Sequence, residues 1–561
     1  MRGAASTPQG GSILSTHAPG RPRSPQEPLR CPLCSEGINN SIGAHIREAH
    51  GEEALRAAVL TAKEQGLADA EIGARYGVSF NTLQEILTEA YGANVTVLKR
   101  PKRPKRWEPP AFREETTTVW SYRQRGDWAT HNGRYRGNWS PYIPRNVILK
   151  YSEPGDVVLD YFVGAGTTAV EAKLLGRRCI ARDINPGAVG ITRENLNFSP
   201  PRQLFGAGAL PVYEPEISVG DATDLSDIPD SGVDLICAHP PYAGIIKYST
   251  GIPGDLSDLT LEDFLVQMEE VAQESRRVLK PGGKCAILIG DGREAKHVVP
   301  IGFHTMRVFL DAGFVLTELV IKRQHKCKST GFWYKRSIEH NFLLLAHEHL
   351  PIFERPLGNT LPQELPSAAG TVPRRVSTDE IDDVSAVDGR EVETTSVWIL
   401  PQRSIDEEIR RNLVTRFATP ASQFLELALE GPEAVHDAGA TTNPSVIHMR
   451  LPRGLTDEEQ AARYRGAVKR AAEEAADLLP TGGFLAVDAQ DTRLKDSVVP
   501  MALAVYEDLL PEARFTIKEI IVVVPEGVPE HPETDGDALQ IAHRYLLVYR
   551  RNGNRHRIGE T

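Results

Sequence analysis

The stretch GDVVLDYFVGAGTTAVEAKLLGRRCIARDINPGAVGI (Gly155–Ile191) constrains the fold more than any other part of the chain. Val157–Leu159 is a short apolar run. Gly164 and Gly166 come next in a turn where the backbone can pass close to a ligand. Thr167 and Thr168 open a helical pattern running through Leu175, and a second apolar run, Cys179–Ala181, ends at Asp183. Strand, glycine turn, helix and strand in that order predict a βαβ unit and hence an α/β, doubly wound, Rossmann-like domain, with an acid at the second strand tip where a ribose would lie. A nicotinamide-dinucleotide site is the obvious competitor, but its G-x-G-x-x-G pattern is not met.

The segments downstream narrow the choice. SVGDATDL puts Asp221 just after a short strand, and VDLICAHPPY is a buried strand ending in His239, Pro240, Pro241 and Tyr242. VLKPGGKCAILIGDG reads as a helix end, a turn and another strand. AGFVLTELVIKRQ and EHNFLLLAHEH are expected to form a final hairpin-like pair. In this order the chain resembles the S-adenosylmethionine-dependent DNA amino-methyltransferases, which modify N4 of cytosine or N6 of adenine. The likeness runs from about Trp120 to Pro351 and includes NWSPYIPRNVILKYSEPGD, similar to the family segment that helps hold the methionine end of the cofactor. The family's D-P-F-x-G-S-G-T appears as DYFVGAGT, with Tyr161 and Ala165 departing.

The resemblance implies that S-adenosylmethionine is the cofactor. Asp160, Phe162, Gly164, Gly166 and Thr167 would line it, Asp183 would hold its ribose, and Asp221 would contact its adenine. It also explains the rigid loop. An exocyclic amine is a poor nucleophile because its lone pair is delocalised into the ring. Acceptors must draw the nitrogen towards sp3 geometry, and prolines fix a backbone carbonyl for that purpose. Tyr242 would stack on a base flipped from the duplex. His239 stands where the family has Asp, Asn, Ser or Thr; a neutral imidazole can accept a hydrogen bond, whereas an imidazolium cannot. A histidine that merely orients the loop is the plainer reading. No covalent cysteine chemistry is implied for Cys237.

The second half repeats the first. LKPGGKCAILIGDGREAKHVVP and LPTGGFLAVDAQDTRLKDSVVP match at Gly282/Gly482, Gly283/Gly483, Asp291/Asp491, Arg293/Arg493 and Val298–Pro300/Val498–Pro500, always 200 residues apart. GFVLTELVIKR then parallels RFTIKEIIVVV, and HNFLLLAHE is aligned with HRYLLVYRR. Such self-similarity means duplicated architecture. The proline pair is replaced by PSVIHMRLPRG, and no glycine-rich turn occurs between Thr395 and Ser445. The second half is therefore expected to be a degenerate methyltransferase-like domain without cofactor chemistry, packing against the first as an intramolecular pseudo-dimer partner or guiding DNA.

Two small modules precede these domains. Cys31, Cys34, His45 and His50, spaced C-x2-C-x10-H-x4-H, suit structural zinc and resemble a C2H2 finger, with Ile38 and Ile42 as its small core. LADAEIGARYGVSFNTLQEIL resembles a helix-turn-helix. Ile72, Tyr76, Val78, Leu83 and Ile86 would face inward, Gly77 would turn, Ser79 would cap, and Phe80, Asn81, Gln84 and Glu85 would face a major groove. LKRPKRPKRW has six cations in ten residues and reads as a phosphate-contacting strap or a solvated linker. Residues 1–150 carry 21 Lys and Arg against 14 Asp and Glu, whereas the remainder is acidic. The organisation expected is a disordered lead (1–28), a finger (29–52), a helix-turn-helix (55–92), a basic linker (93–118), a catalytic domain (119–351), a linker (352–392) and a degenerate copy (393–553). Beyond the Cys31/Cys34 pair, four singly scattered cysteines and no apolar run near ~18 residues fit a cytoplasmic protein with no membrane partner. The function expected is amino-methylation of a base in DNA; the rivals are the same reaction on RNA and a DNA-binding regulator with an inactive methyltransferase fold.

Overall fold

The computed structural model describes residues 29–38, 41–65, 67, 69–79, 82–83, 86–87, 101–132, 135, 137–201, 210–243, 252–325, 330–358, 365, 374–380, 393–419, 423–428, 444–450, 455, 457–511, 513–527 and 538–553. The expected disordered lead, Phe80, Asn81, Gln84 and Glu85, and Leu98–Arg100 of the strap lie outside them. Residues 1–95 and 96–561 form two units.

In the first unit, strands β1 (Leu29–Arg30) and β2 (Gly37–Ile38) pair antiparallel ahead of helices Ile42–His50, Glu52–Glu64 and Asp69–Tyr76. The stretches expected to form a finger and a helix-turn-helix contribute to one core, which holds Ile38, Ile46, Leu55, Val59, Ile72 and Leu83. Two glycines permit this: a Cβ on Gly43 would lie 2.4 Å from the Gly77 carbonyl oxygen. Among the residues expected to form the finger, Ile46 is fully buried, whereas Ile42 is only partly buried. Gly77 turns at φ +64°, and the Ser79 hydroxyl accepts from the Thr82 N–H at 3.1 Å.

The second unit is built on two sheets. The first contains β3 (Val119–Ser121), β4 (Val157–Asp160), β5 (Arg178–Asp183), β6 (Glu216–Val219), β7 (Val233–Ala238) and β8 (Leu279–Ile287). After a hairpin of β9 (Gly292–Glu294) and β10 (His297–Val299), β11 (Val315–Arg323) and β12 (His347–Glu354) complete it. The order is β3-β11-β12-β8-β7-β4-β5-β6, and β12 alone runs antiparallel to its neighbours. The order reverses between β4 and β7, and a doubly wound sheet opens a crevice at such a switch point.

The second sheet contains β13 (Arg374–Glu380), β14 (Val397–Leu400), β15 (Gln423–Ala428), β16 (Pro444–Arg450) and β17 (Phe484–Ala489). A hairpin of β18 (Thr492–Leu494) and β19 (Ser497–Val499) precedes β20 (Phe515–Pro525) and β21 (Arg544–Arg551). Its order, β13-β15-β16-β17-β21-β20-β14, repeats six strands of the first sheet in the same sequence.

Three expectations need correcting. Glu339 ends a helix (Thr330–Glu339), and the last strand of the first sheet begins at His347 rather than inside EHNFLLL. Its counterpart pairing makes His347 equivalent to His543 and His349 to Tyr545, since His349 faces Ile321 and Tyr545 faces Val522. Residues 352–392 are not all linker: β12 runs through Glu354, and β13 joins the second sheet by pairing with β15.

The halves share one core, with Phe303 and Phe309 from the first and Met501 and Tyr545 from the second. They also grip each other reciprocally. Arg293 binds the Glu519 carboxylate, and Arg493 binds that of Glu318. Thr118 takes the Ala542 N–H at 3.0 Å and pairs with His543, while Ser396 takes the Ala346 N–H at 2.9 Å and pairs with His347.

Candidate active site

The site lies at the C-terminal ends of β4, β5 and β7. Gly164 (φ +53°) and Gly166 (φ +82°) both occupy the left-handed region, and a Cβ on Gly166 would lie 2.7 Å from Thr192. The turn is held from behind. Thr192 donates to the Gly164 carbonyl at 2.8 Å, and Asn195 to that of Ala165 at 2.9 Å. Asp183 accepts from the Gly164 N–H at 2.8 Å and from the Asn185 N–H at 2.9 Å; burial raises its pKa to about 6. Each of its oxygens keeps a further lone pair, so it can still accept from a diol. Asp221 is oriented by Thr223, whose N–H and hydroxyl both donate to it at 2.9 Å.

A pocket brings Phe162, Gly164, Asp183, Asp221, His239 and Pro241 together. Asp160, Gly166, Thr167, Pro240 and Tyr242 do not line it. Asp160 sits beneath, buried, accepting the Phe162 N–H at 3.0 Å, with its pKa raised to about 7 by burial. It supports the turn rather than facing a ligand. Thr167 donates to the Asn138 side chain and so ties the turn to the opposite wall. Tyr161, the departure from the family motif, is buried with its hydroxyl 2.9 Å from Ser275.

That opposite wall includes Tyr135, Asn138 and Trp139. It is anchored by a carboxylate that no sequence motif marks. Glu171, fully buried on the helix Thr167–Leu174, accepts from Trp128 at 2.7 Å and Arg145 at 2.9 Å and meets His131 at 2.7 Å. Its burial alone would raise the pKa, but Arg145 and His131 outweigh it and hold the group ionised.

His239 stacks on Trp139, with ring centres 5.4 Å apart and planes 23° apart. Its Nε2 lies 2.9 Å from the Tyr242 hydroxyl, which donates to Glu348 at 2.6 Å; Lys322 holds the other Glu348 oxygen at 2.5 Å. Burial opposes ionisation of Glu348, but Lys322 and then His239 prevail and hold its pKa at about 2. Since the tyrosine proton goes to that carboxylate, the tyrosine oxygen must accept from Nε2–H, and Nδ1 keeps its lone pair. Burial lowers the His239 pKa to about 4, so the ring is neutral near pH 7. Tyr242 does not offer an open stacking face as expected: its ring is buried against Gly290 because the Glu348 carboxylate takes its hydroxyl. Lys322 and Glu348 come from β11 and β12, far along the chain, where no local motif marks them.

In the second sheet the equivalent tip holds no such arrangement among the described residues. Arg450 ends the central strand β16, bound to Glu426 at 2.9 Å and Asp406 at 2.7 Å, and Arg544 also binds Asp406. His448 lies between Asp488 and Glu426, which overcome its burial and raise its pKa to about 9. An ion-pair network fills the tip.

In the first unit, Cys31, Cys34, His45 and His50 converge, with their ligand atoms within 4.8 Å of one another. Cys31 Sγ is 3.6 Å from His50 Nε2, and Cys34 Sγ is 3.6 Å from His45 Nε2. Bonds of ~2.3 Å to sulfur and ~2.0 Å to nitrogen span about that separation across a tetrahedron, so the four residues fit zinc. In the strap, Lys102 donates to Asn195 at 2.8 Å and Trp107 packs on Phe198, leaving Arg103 and Lys105 exposed.

Comparison with known proteins agrees with this geometry. The DNA methylase family model matches residues 88–194, which include the glycine turn and Asp183 but stop short of His239. A tRNA (guanine(10)-N2)-dimethyltransferase of Methanothermobacter thermautotrophicus is 36% identical over 132 residues, 23% of this chain and 34% of the relative. The type II methyltransferase M2.DpnII of Streptococcus pneumoniae is 41% identical over 69 residues, 12% and 25% of the two chains. The chain thus spans about a third or less of these two relatives. The solved structure of TrmN from Thermus thermophilus is similar at 21% identity over 39% of this chain and 50% of that one, with a TM-score of 0.26. Over residues 88–194 the chain thus matches the N6 and N4 DNA methylases, and its first sheet has the strand order of a doubly wound α/β fold.

Proposed function

We propose that the chain transfers a methyl group from S-adenosylmethionine to an exocyclic amine, cytosine N4 or adenine N6, in DNA. The observation that carries this reading is the shared pocket of Gly164, Asp183, Asp221 and His239 at the sheet's switch point. The cofactor would supply an electrophilic methyl group. Asp183 would accept from its ribose hydroxyls and Asp221 from its adenine amine. His239, neutral with Nδ1 free of the tyrosine bond, accepts a hydrogen bond from the target amine. A carbonyl of the proline pair accepts the other N–H. Together they localise the nitrogen lone pair, and Nδ1 can take the proton that leaves. The Glu348–Tyr242 pair fixes the tautomer that makes this possible.

Zinc on Cys31, Cys34, His45 and His50 would hold the finger's two short strands to its helix. With the helix-turn-helix and the basic strap, this unit would engage DNA phosphates and a groove. The second half would act as an intramolecular pseudo-dimer partner without cofactor chemistry, its tip closed by Arg450 and Glu426. No described helix is long and apolar enough to cross a membrane. The scattered single cysteines suit the reducing cytoplasm in which such an enzyme would meet DNA.

A second reading, methylation of guanine N2 in RNA, is favoured by the tRNA dimethyltransferase relative. Offering isotopically labelled cofactor with duplex DNA or with structured tRNA, then identifying the nucleoside by mass spectrometry, separates the two. Label in N4-methylcytosine or N6-methyladenine supports the first reading; label only in RNA guanine overturns it.

A further inference from the structure

Away from the pocket, at the seam between the two halves, Asp291, His347 and His349 are buried together, and one ligand atom from each lies within 4.8 Å of the others. We propose that these three residues bind a divalent transition-metal ion of the zinc class. Two neutral imidazoles and a carboxylate are a borderline-soft donor set suited to such an ion.

Strand geometry aims them. His347 and His349 are two residues apart on β12 and share one face, while Glu348 between them points to the other face, where it binds Tyr242 and Lys322. Asp291 comes after β8, and its Oδ1 accepts the Gly302 N–H at 2.9 Å, leaving Oδ2 towards His349 at 3.4 Å.

Hydrogen bonding does not account for the cluster. His347 uses Nδ1 on Ser396 at 2.8 Å, but its buried Nε2 has no hydrogen-bond partner among the described residues. His349 reaches Asp291 and Tyr545 only at 3.4 Å on either side, long for both bonds. A helix-capping role explains Asp291 and leaves both histidines unexplained. The polar pair Ser396–His347 has the form of the outer contact that usually orients a metal-bound imidazole.

The second half sharpens the assignment. Its equivalents are Asp491, His543 and Tyr545, with His543 Nδ1 on Thr118 at 2.8 Å. One nitrogen donor is thus replaced by a phenol. The complete two-histidine, one-carboxylate set belongs to the first half alone, with Tyr545 across the seam. A metal there would brace β12 on the face opposite Glu348 and so steady the strand whose carboxylate holds Tyr242.

The test must separate this ion from any held by the finger. Full-length protein carrying Cys31→Ser and Cys34→Ser is purified, loaded with zinc, desalted and assayed by plasma mass spectrometry. One equivalent of zinc should remain. Adding His347→Gln, or separately His349→Tyr, should remove it; the latter installs the side chain the second half already carries, and circular dichroism checks the fold of each. Cobalt(II) provides an independent readout: the cysteine-free finger variant should keep visible d–d absorption without thiolate charge-transfer bands. A folded finger variant that retains no zinc and shows no cobalt bands overturns the proposal. So does zinc content unchanged by His347→Gln and His349→Tyr.

Discussion

Protonation of His239 discriminates most sharply among accounts of the chemistry. If its neutral ring accepts from the target amine, methyl transfer needs the unprotonated form. An unshifted imidazole, with a pKa of ~6.5, would be only about 3% neutral at pH 5.0. Burial against Trp139 and the proline loop brings His239 to about 4, which keeps roughly nine rings in ten neutral at that pH. The two cases differ about thirtyfold. The assay is single-turnover transfer with enzyme in excess over duplex DNA and saturating cofactor, from about pH 3.5 to 8.5, with tryptophan fluorescence reporting that the fold persists. The rate should be flat down to about pH 5 and begin to fall only below it, because the active form is lost as pH drops through the folded-state pKa. His239→Asn keeps an acceptor and should retain part of the rate without that decline. His239→Leu should be far slower with cofactor affinity unchanged. A rate that halves near pH 6.5, or a His239→Leu protein as fast as the parent, refutes the reasoning.

Cofactor binding should have its own pH dependence: Asp183 must be ionised to accept strongly, so calorimetric affinity should drop as pH falls through about 6, by roughly 10–100-fold at full protonation, and Asp183→Asn should abolish the dependence. Tyr242→Phe frees the His239 tautomer and should slow transfer by roughly 10–100-fold, the worth of a charge-assisted hydrogen bond, without weakening cofactor binding. Arg493→Ala leaves Glu318, 5% exposed, without its cation and should cost about 3–5 kcal/mol in urea unfolding, whereas Arg307→Ala, whose partner Glu507 is 27% exposed and can be solvated, should cost about 1 kcal/mol. Deleting residues 1–110, which takes the basic strap with the two N-terminal stretches, should weaken DNA binding and flatten its salt dependence, with cofactor affinity intact; an unchanged salt slope would assign these residues another task.

How far the site is legible in the amino-acid sequence depends on how local each signal is. Gly164, Gly166 and Asp183 lie within one βαβ unit, so their spacing alone implies a turn and an acid at a strand tip. The proline pair is likewise contiguous. Asp160 lies beneath the turn and accepts the Phe162 N–H instead of lining the pocket, because a strand-end carboxylate can point either way and the spacing is the same in both cases. Glu348 and Lys322 meet Tyr242 only through strand order, 106 and 80 residues away, and nothing near Tyr242 announces them. The seam does carry a signal. AHEHL and AHRYL, and TTTVWS and TTSVWI, are repeated pairs that align the histidines and the exchanged threonine and serine correctly. The shared core of the two N-terminal stretches depends on Gly43 meeting Gly77, a contact that the spacing of neither expected motif contains.

The exchange of edge segments also sets a timetable for biosynthesis. Thr118, at the outer edge of the catalytic sheet, is satisfied by His543, Ala542 and the Gln540 carbonyl. His543 emerges 425 positions later, and at ~5–20 residues per second it arrives about 20–90 s after Thr118. During that interval the sheet edge beside β3 lacks its far partners, and an unpaired edge is a template for pairing with other chains. A nascent or truncated product ending before residue 540 holds the glycine turn, the proline loop and the Glu348 carboxylate, yet leaves that edge open to chaperones, proteases or its own neighbours on the polysome.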